Sequence, residues 1–185
     1  MTVDILDLFE RGTAWTATKI AGAAGKLDAP TNCDGWDVRR MIDHLLAGHA
    51  MFAASASGGE FAPPPDPPPT LTGDDPAAQY EDARKATAHA FGQPGVLGST
   101  IGHLPAPQAI GIAFCDNLIH GWDLAVSTGQ DAAMPDDLAT AAFAMLDGNI
   151  PDERRDNGLF KRSVPVADDA SMQDRLVAYT GRDPR

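Results

Sequence analysis

The sequence is poor in cysteine and in long apolar runs, and each shortage excludes a class of protein. Cys33 and Cys115 are its only cysteines, too few for a disulfide framework or for a zinc site built from thiolates. No apolar run reaches the roughly 18 residues that indicate a membrane-spanning helix. The N-terminus, MTVDILDLFERG, lacks the basic start and apolar stretch of a secretory signal. We therefore expect a cytoplasmic protein with no membrane partner.

Basic residues are also scarce, with 14 Lys and Arg against 26 Asp and Glu and a formal net charge of −12. Nucleic acids and anionic membrane surfaces are bound by clustered basic side chains. We therefore expect neither as a partner. With 185 residues and 43% apolar composition, the chain is long and apolar enough for one domain spanning residues 1–185.

Apolar residues recur with a helical period, and capping residues mark where several helices begin. The predicted helices run from about Asp4 to Gly25, over 38–56 after the N-cap Asp37, over Pro76–Phe91 after the N-cap Asp75, from about Pro107 to Thr128 before Gly129, from Pro135, and after a capping box of Ser171 and Asp174.

Two segments depart from this helical pattern. Residues 62–69, APPPDPPP, contain six prolines and predict a stiff, extended spacer between the second and third helices. Residues 158–166, GLFKRSVPV, have strand-like or extended propensity. Strand signals are otherwise scarce, so we expect an all-α protein, a four-helix bundle with a short C-terminal appendage.

Residues 114–125, FCDNLIHGWDLA, place two potential metal ligands in a segment that is otherwise typical of a buried helix. Asp116 and His120 are four residues apart and therefore share one helix face. A third ligand from a facing helix is expected, and His44 beside the apolar stripe of the second helix is the best candidate. Two imidazoles and a carboxylate suit Zn²⁺, Ni²⁺ or Fe²⁺ and leave a coordination position open.

The spacing alone favours simpler alternatives. Asp116 and His120 could form only a hydrogen-bonded pair at a polar helix edge, and His44 could be a satisfied core residue. Asp123 either continues a solvated stripe or orients His120. The remaining expectations are an exposed His49, a surface His89, a loop residue His103 without a clear role, and a small buried Cys115.

Three stretches together resemble one known family: NCDGWDVRRMIDHL at 32–45, FCDNLIHGWDLAVSTGQD at 114–131 and DASMQDRLVAYTGRDP at 169–184. They are similar to actinobacterial metal-binding proteins of the DinB-like superfamily, in the group related to mycothiol-dependent maleylpyruvate isomerase. The resemblance implies a DinB-like four-helix bundle that holds a divalent metal. Carried onto this chain, the implied ligands are His44, Asp116 and His120.

The resemblance also implies a function for the metal. Relatives use it to bind a low-molecular-weight thiol such as mycothiol or bacillithiol, and a thiolate formed in this way could add to an activated alkene, isomerise a cis double bond or open an epoxide. We therefore expect a thiol-dependent transferase or isomerase with Zn²⁺, or alternatively Ni²⁺, and a small thiol and a small electrophile as partners. The alternative is a non-catalytic metal-binding or sensing module, and a homodimer is compatible with either.

Two departures limit what the resemblance implies. The isomerase has a Glu at the position of the shorter Asp116, and it carries a C-terminal domain, whereas this chain ends soon after its last short helix. We therefore do not expect maleylpyruvate isomerisation itself. Arg39 and Arg40 are candidates for holding a carboxylate of the thiol or of the substrate, and the alternative is that they are surface charges.

Overall fold

The computed structural model describes residues 4–150, 155 and 160–184. The chain divides into two compact units, Met1–Ala132 and Ala133–Arg185. The first unit contains α1 (Ile5–Ala23), α2 (Val38–Ala56), α3 (Pro76–Phe91), a 3-10 turn (Val96–Gly98), the strands β1 (Thr100–Ile101) and β2 (Leu104–Pro105), and α4 (Ala106–Thr128); the second contains α5 (Asp136–Leu146) and α6 (Met172–Tyr179). The protein is therefore predominantly helical, as predicted.

The helix ends follow from the capping residues. Asp37 accepts a hydrogen bond from the backbone N–H of Arg40 and starts α2, and Asp75 does the same for α3 through the N–H of Ala78. Each carboxylate satisfies a backbone donor that has no partner within the helix. Gly129 ends α4 with a φ of 71°, a left-handed conformation that glycine adopts without steric cost.

The first unit is a four-helix bundle centred on α4. α1 packs against α4 and α3, and α2 packs against α3 and α4. α4 is buried on most of its circumference, because its sequence is apolar on nearly every face. None of the helices in the described part of the chain combines the length and the apolar character that a membrane span requires.

A small antiparallel hairpin precedes α4 and was not predicted. It pairs Thr100 with Pro105 and Ile101 with Leu104, and Ile101 is fully buried. Strands of two residues are too short to carry an alternating apolar pattern, so the sequence contained no signal for them. The hairpin contacts both α2 and α4.

The second unit packs α5 against α6. Phe143 and Tyr179 meet edge to face with ring centroids 5.9 Å apart, and the backbone N–H of Val164 donates to Ala178 over 2.9 Å. The predicted extended segment 158–166 is described from residue 160 onward, and this part has no strand pairing. Its first two residues, Gly158 and Leu159, lie outside the described residues.

The expectation that His49 is exposed is wrong, because its side chain is only 2% exposed. Its Nδ1 lies 3.1 Å from the hydroxyl of Thr87, and its ring packs edge-on against Tyr80 at 5.1 Å. His49 lies well around α2 from His44, but α2 packs against both α3 and α4. More than one of its faces is therefore buried, which a single apolar stripe does not indicate. Burial lowers the pKa of His49 to about 4.

We predict that Gly12→Ala destabilises the bundle. A Cβ at Gly12 would lie 2.7 Å from Cδ2 of the fully buried Phe114 ring, so the strain of overpacking should exceed the gain in helix propensity. We expect the free energy of unfolding to fall by about 1–2 kcal/mol, measured by urea denaturation. Gly48→Ala is the control, since nothing lies within 4 Å of its Cβ position, and it should stabilise the protein by about 0.5–1 kcal/mol.

We predict that neutral His49 makes stability depend on pH. In the unfolded chain its pKa returns to 6.5, whereas burial holds it at about 4 in the folded protein. Between these values the unfolded chain binds the extra proton, so stability is complete above pH 6.5 and falls as the pH drops to 4. The loss should reach about 3 kcal/mol. His49→Gln should remove this part of the pH dependence, and the same change at the exposed His89 should leave it; equal slopes in all three proteins would contradict the prediction.

Candidate metal centre

The neighbouring helices α2 and α4 bring His44, Asp116 and His120 together. Nε2 of His44 lies 3.4 and 3.3 Å from the two carboxylate oxygens of Asp116, and Nε2 of His120 lies 3.5 Å from Oδ1 of the same carboxylate. The two imidazole rings are 5.1 Å apart and nearly perpendicular. One ligand atom from each residue lies within 4.8 Å of the other two.

These separations fit metal ligands better than they fit hydrogen bonds. An N–H···O hydrogen bond usually spans 2.7–3.2 Å, and all three contacts are longer. Two ligand atoms bound about 2.0 Å from a tetrahedral zinc ion are separated by roughly 3.3 Å. The set of two imidazoles and one carboxylate is also one that Zn²⁺ accepts in open sites. The residues present therefore fit a divalent ion.

The electrostatics of the centre favour positive charge. Burial lowers the pKa of His44, but the carboxylates of Asp116 and Asp66 together outweigh this effect, and the pKa of His44 is raised from its ordinary value. The side chains of His44, Asp116 and His120 are 26%, 35% and 12% exposed, so the centre is open to solvent on one side.

Asp123 orients His120. Its side chain is fully buried, and its Oδ2 lies 3.0 Å from Nδ1 of His120. The hypothesis of a solvated stripe is therefore wrong for Asp123, and the structure contains the contact with His120 that the alternative requires. This hydrogen bond leaves Nε2 of His120 directed at Asp116. A carboxylate behind the distal ring nitrogen is typical of metal-binding histidines.

The loop before α2 supplies the wall of the centre. The N–H of Trp36 donates to the carbonyl of Cys33 over 3.0 Å, which closes a tight turn with Gly35 at a φ of 75°, a conformation that favours glycine. The turn places the Trp36 ring 5.1 Å from the His44 ring and stacks it 6.0 Å from the His120 ring. The indole therefore contacts both imidazoles.

A second group of potential ligands adjoins the first. Sγ of Cys33 lies 3.9 Å from Oδ2 of Asp123, and Cys33, His120 and Asp123 form another cluster with metal-ligand spacing. Asn32 approaches the other oxygen of Asp123 at 3.5 Å. Cys115, by contrast, is buried, which raises the pKa of its thiol to about 12 and makes it a poor nucleophile at neutral pH.

The two candidate arginines occupy different positions. Arg39 lies 3.9 Å from the exposed Asp28, as expected of a surface charge. Arg40 binds Asp66 of the proline-rich segment over 2.6 Å, and its guanidinium lies 5.4 Å from the centre of the Trp36 ring. Arg40 is therefore next to the candidate centre.

Trp36, Cys33 and Asp66 were not predicted to belong to this site. All three lie in loops, where periodicity indicates no direction. The positions of Trp36 and Cys33 in the stretch NCDGWD were the only available signal, because that stretch immediately precedes the helix that carries His44. His103 and His89 are exposed, and neither is part of the cluster.

Comparison with known proteins supports the resemblance. The family model of the mycothiol maleylpyruvate isomerase N-terminal domain matches residues 9–125, well over half of the chain. Two uncharacterized proteins of Mycobacterium tuberculosis, MT0763 of strain CDC 1551 and Rv0738 of strain H37Rv, are each 29% identical over 167 residues, which cover 88% of this chain and 88% of the relative. No solved structure matches significantly.

We predict that Asp123→Asn weakens metal affinity without removing a ligand. The amide lacks the charge that holds the Nδ1–H of His120, so the zinc affinity should fall about 10- to 100-fold. Competition with a chelator measures this change. Asp82→Asn, an exposed position on α3, is the control. A dissociation constant equal to that of the parent would mean that Asp123 does not support the site.

Proposed function

Because the chain belongs to the family of the mycothiol maleylpyruvate isomerase N-terminal domain, we propose that it binds a divalent metal and acts as a low-molecular-weight-thiol-dependent transferase or isomerase. The observation that carries the proposal is the convergence of His44, Asp116 and His120 on one point that remains accessible to solvent. The metal is Zn²⁺, with Ni²⁺ as the alternative, and the thiol is of the mycothiol type.

Three protein ligands leave room for a fourth group, which distinguishes a catalytic site from a closed structural site. Nε2 of His44, a carboxylate oxygen of Asp116 and Nε2 of His120 would hold the ion. A divalent ion in this position favours the thiolate form of a coordinating thiol, which is the nucleophilic form.

The surrounding residues complete the proposed site. Asp123 holds His120 in one orientation, and the Trp36 indole limits the access of water to both imidazoles. A water-poor wall strengthens the electrostatic interactions inside a site. The protein contributes no nucleophile in this proposal, which agrees with the inert, buried state of Cys115.

The shorter carboxylate of Asp116 separates this chain from the isomerase. An aspartate reaches about one methylene less far than a glutamate, and here the carboxylate nevertheless lies 3.3 Å from His44. In this proposal the second substrate is a small electrophile other than maleylpyruvate, such as an activated alkene or an epoxide.

We predict about one zinc or nickel ion per chain in the purified protein, and its loss in His120→Ala. Removal of one of three ligands leaves too few for a stable site. Elemental analysis of both proteins measures this, with His89→Ala as the control because His89 is an exposed histidine outside the cluster. Equal metal content in the parent and His120→Ala would contradict the site.

The cobalt-loaded protein tests the thiol dependence. Addition of mycothiol should produce a thiolate-to-cobalt charge-transfer band in the parent and not in His120→Ala. A metal-loaded protein with no such band would refute the enzyme proposal and leave a non-catalytic metal-binding module.

A further inference from the structure

Arg40 lies one helical turn before His44 on the same face of α2. The two positions are separated by four residues, so their side chains are neighbours and their backbones differ by about 6 Å along the helix axis. The Trp36 ring is close to both side chains, with its centre 5.4 Å from the guanidinium carbon of Arg40 and 5.1 Å from the His44 ring. A ligand held at His44 can therefore extend along Trp36 to Arg40.

Arg40 uses its guanidinium only in part. Nη2 binds Oδ1 of Asp66 over 2.6 Å, and Nη1 donates to the carbonyl of Gly35 over a longer 3.4 Å. Nε is buried and has no hydrogen-bond partner among the described residues. Arg84 shows the complete arrangement, since its Nε and Nη2 each bind one oxygen of Glu81 over 2.6 Å. Paired bonds of this kind are the preferred way in which arginine holds a carboxylate.

Asp66 is a partner that another carboxylate can replace. Its side chain is 78% exposed, and ion pairs with so exposed a partner are weak. It lies in the proline-rich segment 62–69, whose continuation is fixed elsewhere on α2: Asp43 accepts hydrogen bonds from the N–H groups of Leu71 and Thr72 over 2.8 and 2.6 Å. The segment can therefore release Arg40 while this anchor stays in place.

We propose that Arg40 is a carboxylate-binding subsite of the metal centre, and that Asp66 is an internal carboxylate that occupies it in the absence of ligand. The ligand class is a thiol or an electrophile with a carboxylate about one helical turn from its metal-binding or reacting atom. This inference rests on the proposed function, because the metal centre positions the other end of the ligand.

Two thiols of equal length test the subsite. 4-Mercaptobutyrate and 4-mercaptobutanol are titrated separately into the cobalt-loaded protein, and the thiolate-to-cobalt band reports binding of each. The parent should bind the carboxylate about tenfold more tightly than the alcohol, as a charge-assisted hydrogen bond requires. Arg40→Gln should reduce this ratio to about one, and Asp66→Asn should raise it several-fold because the internal competitor is lost.

The neighbouring pair provides a matched control. Arg39, the residue before Arg40 on α2, forms an ion pair with Asp28. Arg39→Gln and Asp28→Asn remove the same charges as the test variants, and both should keep the tenfold preference for 4-mercaptobutyrate over 4-mercaptobutanol. An equal fall in Arg39→Gln would mean that only the general positive charge matters, which would overturn the proposal.

The outcomes separate this inference from the proposed function. Absence of the band with mycothiol as well as with both short thiols refutes thiol binding and the proposed function. Normal bands with equal affinities for both thiols refute the subsite and leave the proposed function intact. If Arg40→Gln does not fold, Asp66→Asn decides: unchanged affinity for 4-mercaptobutyrate would show that Asp66 does not compete for Arg40.

Discussion

The candidate centre depends on the buried carboxylate of Asp123. A charged group removed from water requires polar partners, and Asp123 has them on its own helix and in the loop before α2: Nδ1 of His120 at 3.0 Å, the amide of Asn32 at 3.5 Å and the thiol of Cys33 at 3.9 Å. The hydrogen bond at 3.0 Å fixes the imidazole of His120, and the two longer contacts show that the loop before α2 lies against α4. Trp36 follows in the same loop and so reaches the two imidazoles.

Beneath the centre, a polar network connects the helices of the bundle. The hydroxyl of Tyr80 donates to the side chain of Asn117 over 2.6 Å, and the hydroxyl of Thr16 donates to the carbonyl of Asn117 over 2.9 Å. These bonds link α3 and α1 to the residue that follows Asp116 on α4. A satisfied buried network permits few alternative arrangements, so Asp116 projects from a fixed part of α4.

The linker between α2 and α3 has a structural effect on the site as well as a connecting role. The sequence predicted a stiff spacer, and the structure attaches it to α2 at Asp43 and Arg40. Asp66 therefore stands beside the candidate centre and contributes to raising the pKa of His44. The prolines explain the extended form of such a segment, but they contain no information about the surface on which it lies.

The sequence alone determined where the main helices lie. It also determined that two of the three candidate ligands, Asp116 and His120, lie on the same face of one helix. Asp37 and Asp75 mark helix starts because capping is a local interaction, and Asp116 and His120 share a face because the helical period is local as well. The burial of His49, the place of Trp36 and the contact of Arg40 with Asp66 required the tertiary structure. Each of these three features depends on packing between segments that are distant in the chain. No local sequence pattern specifies which surfaces of two such segments pack together.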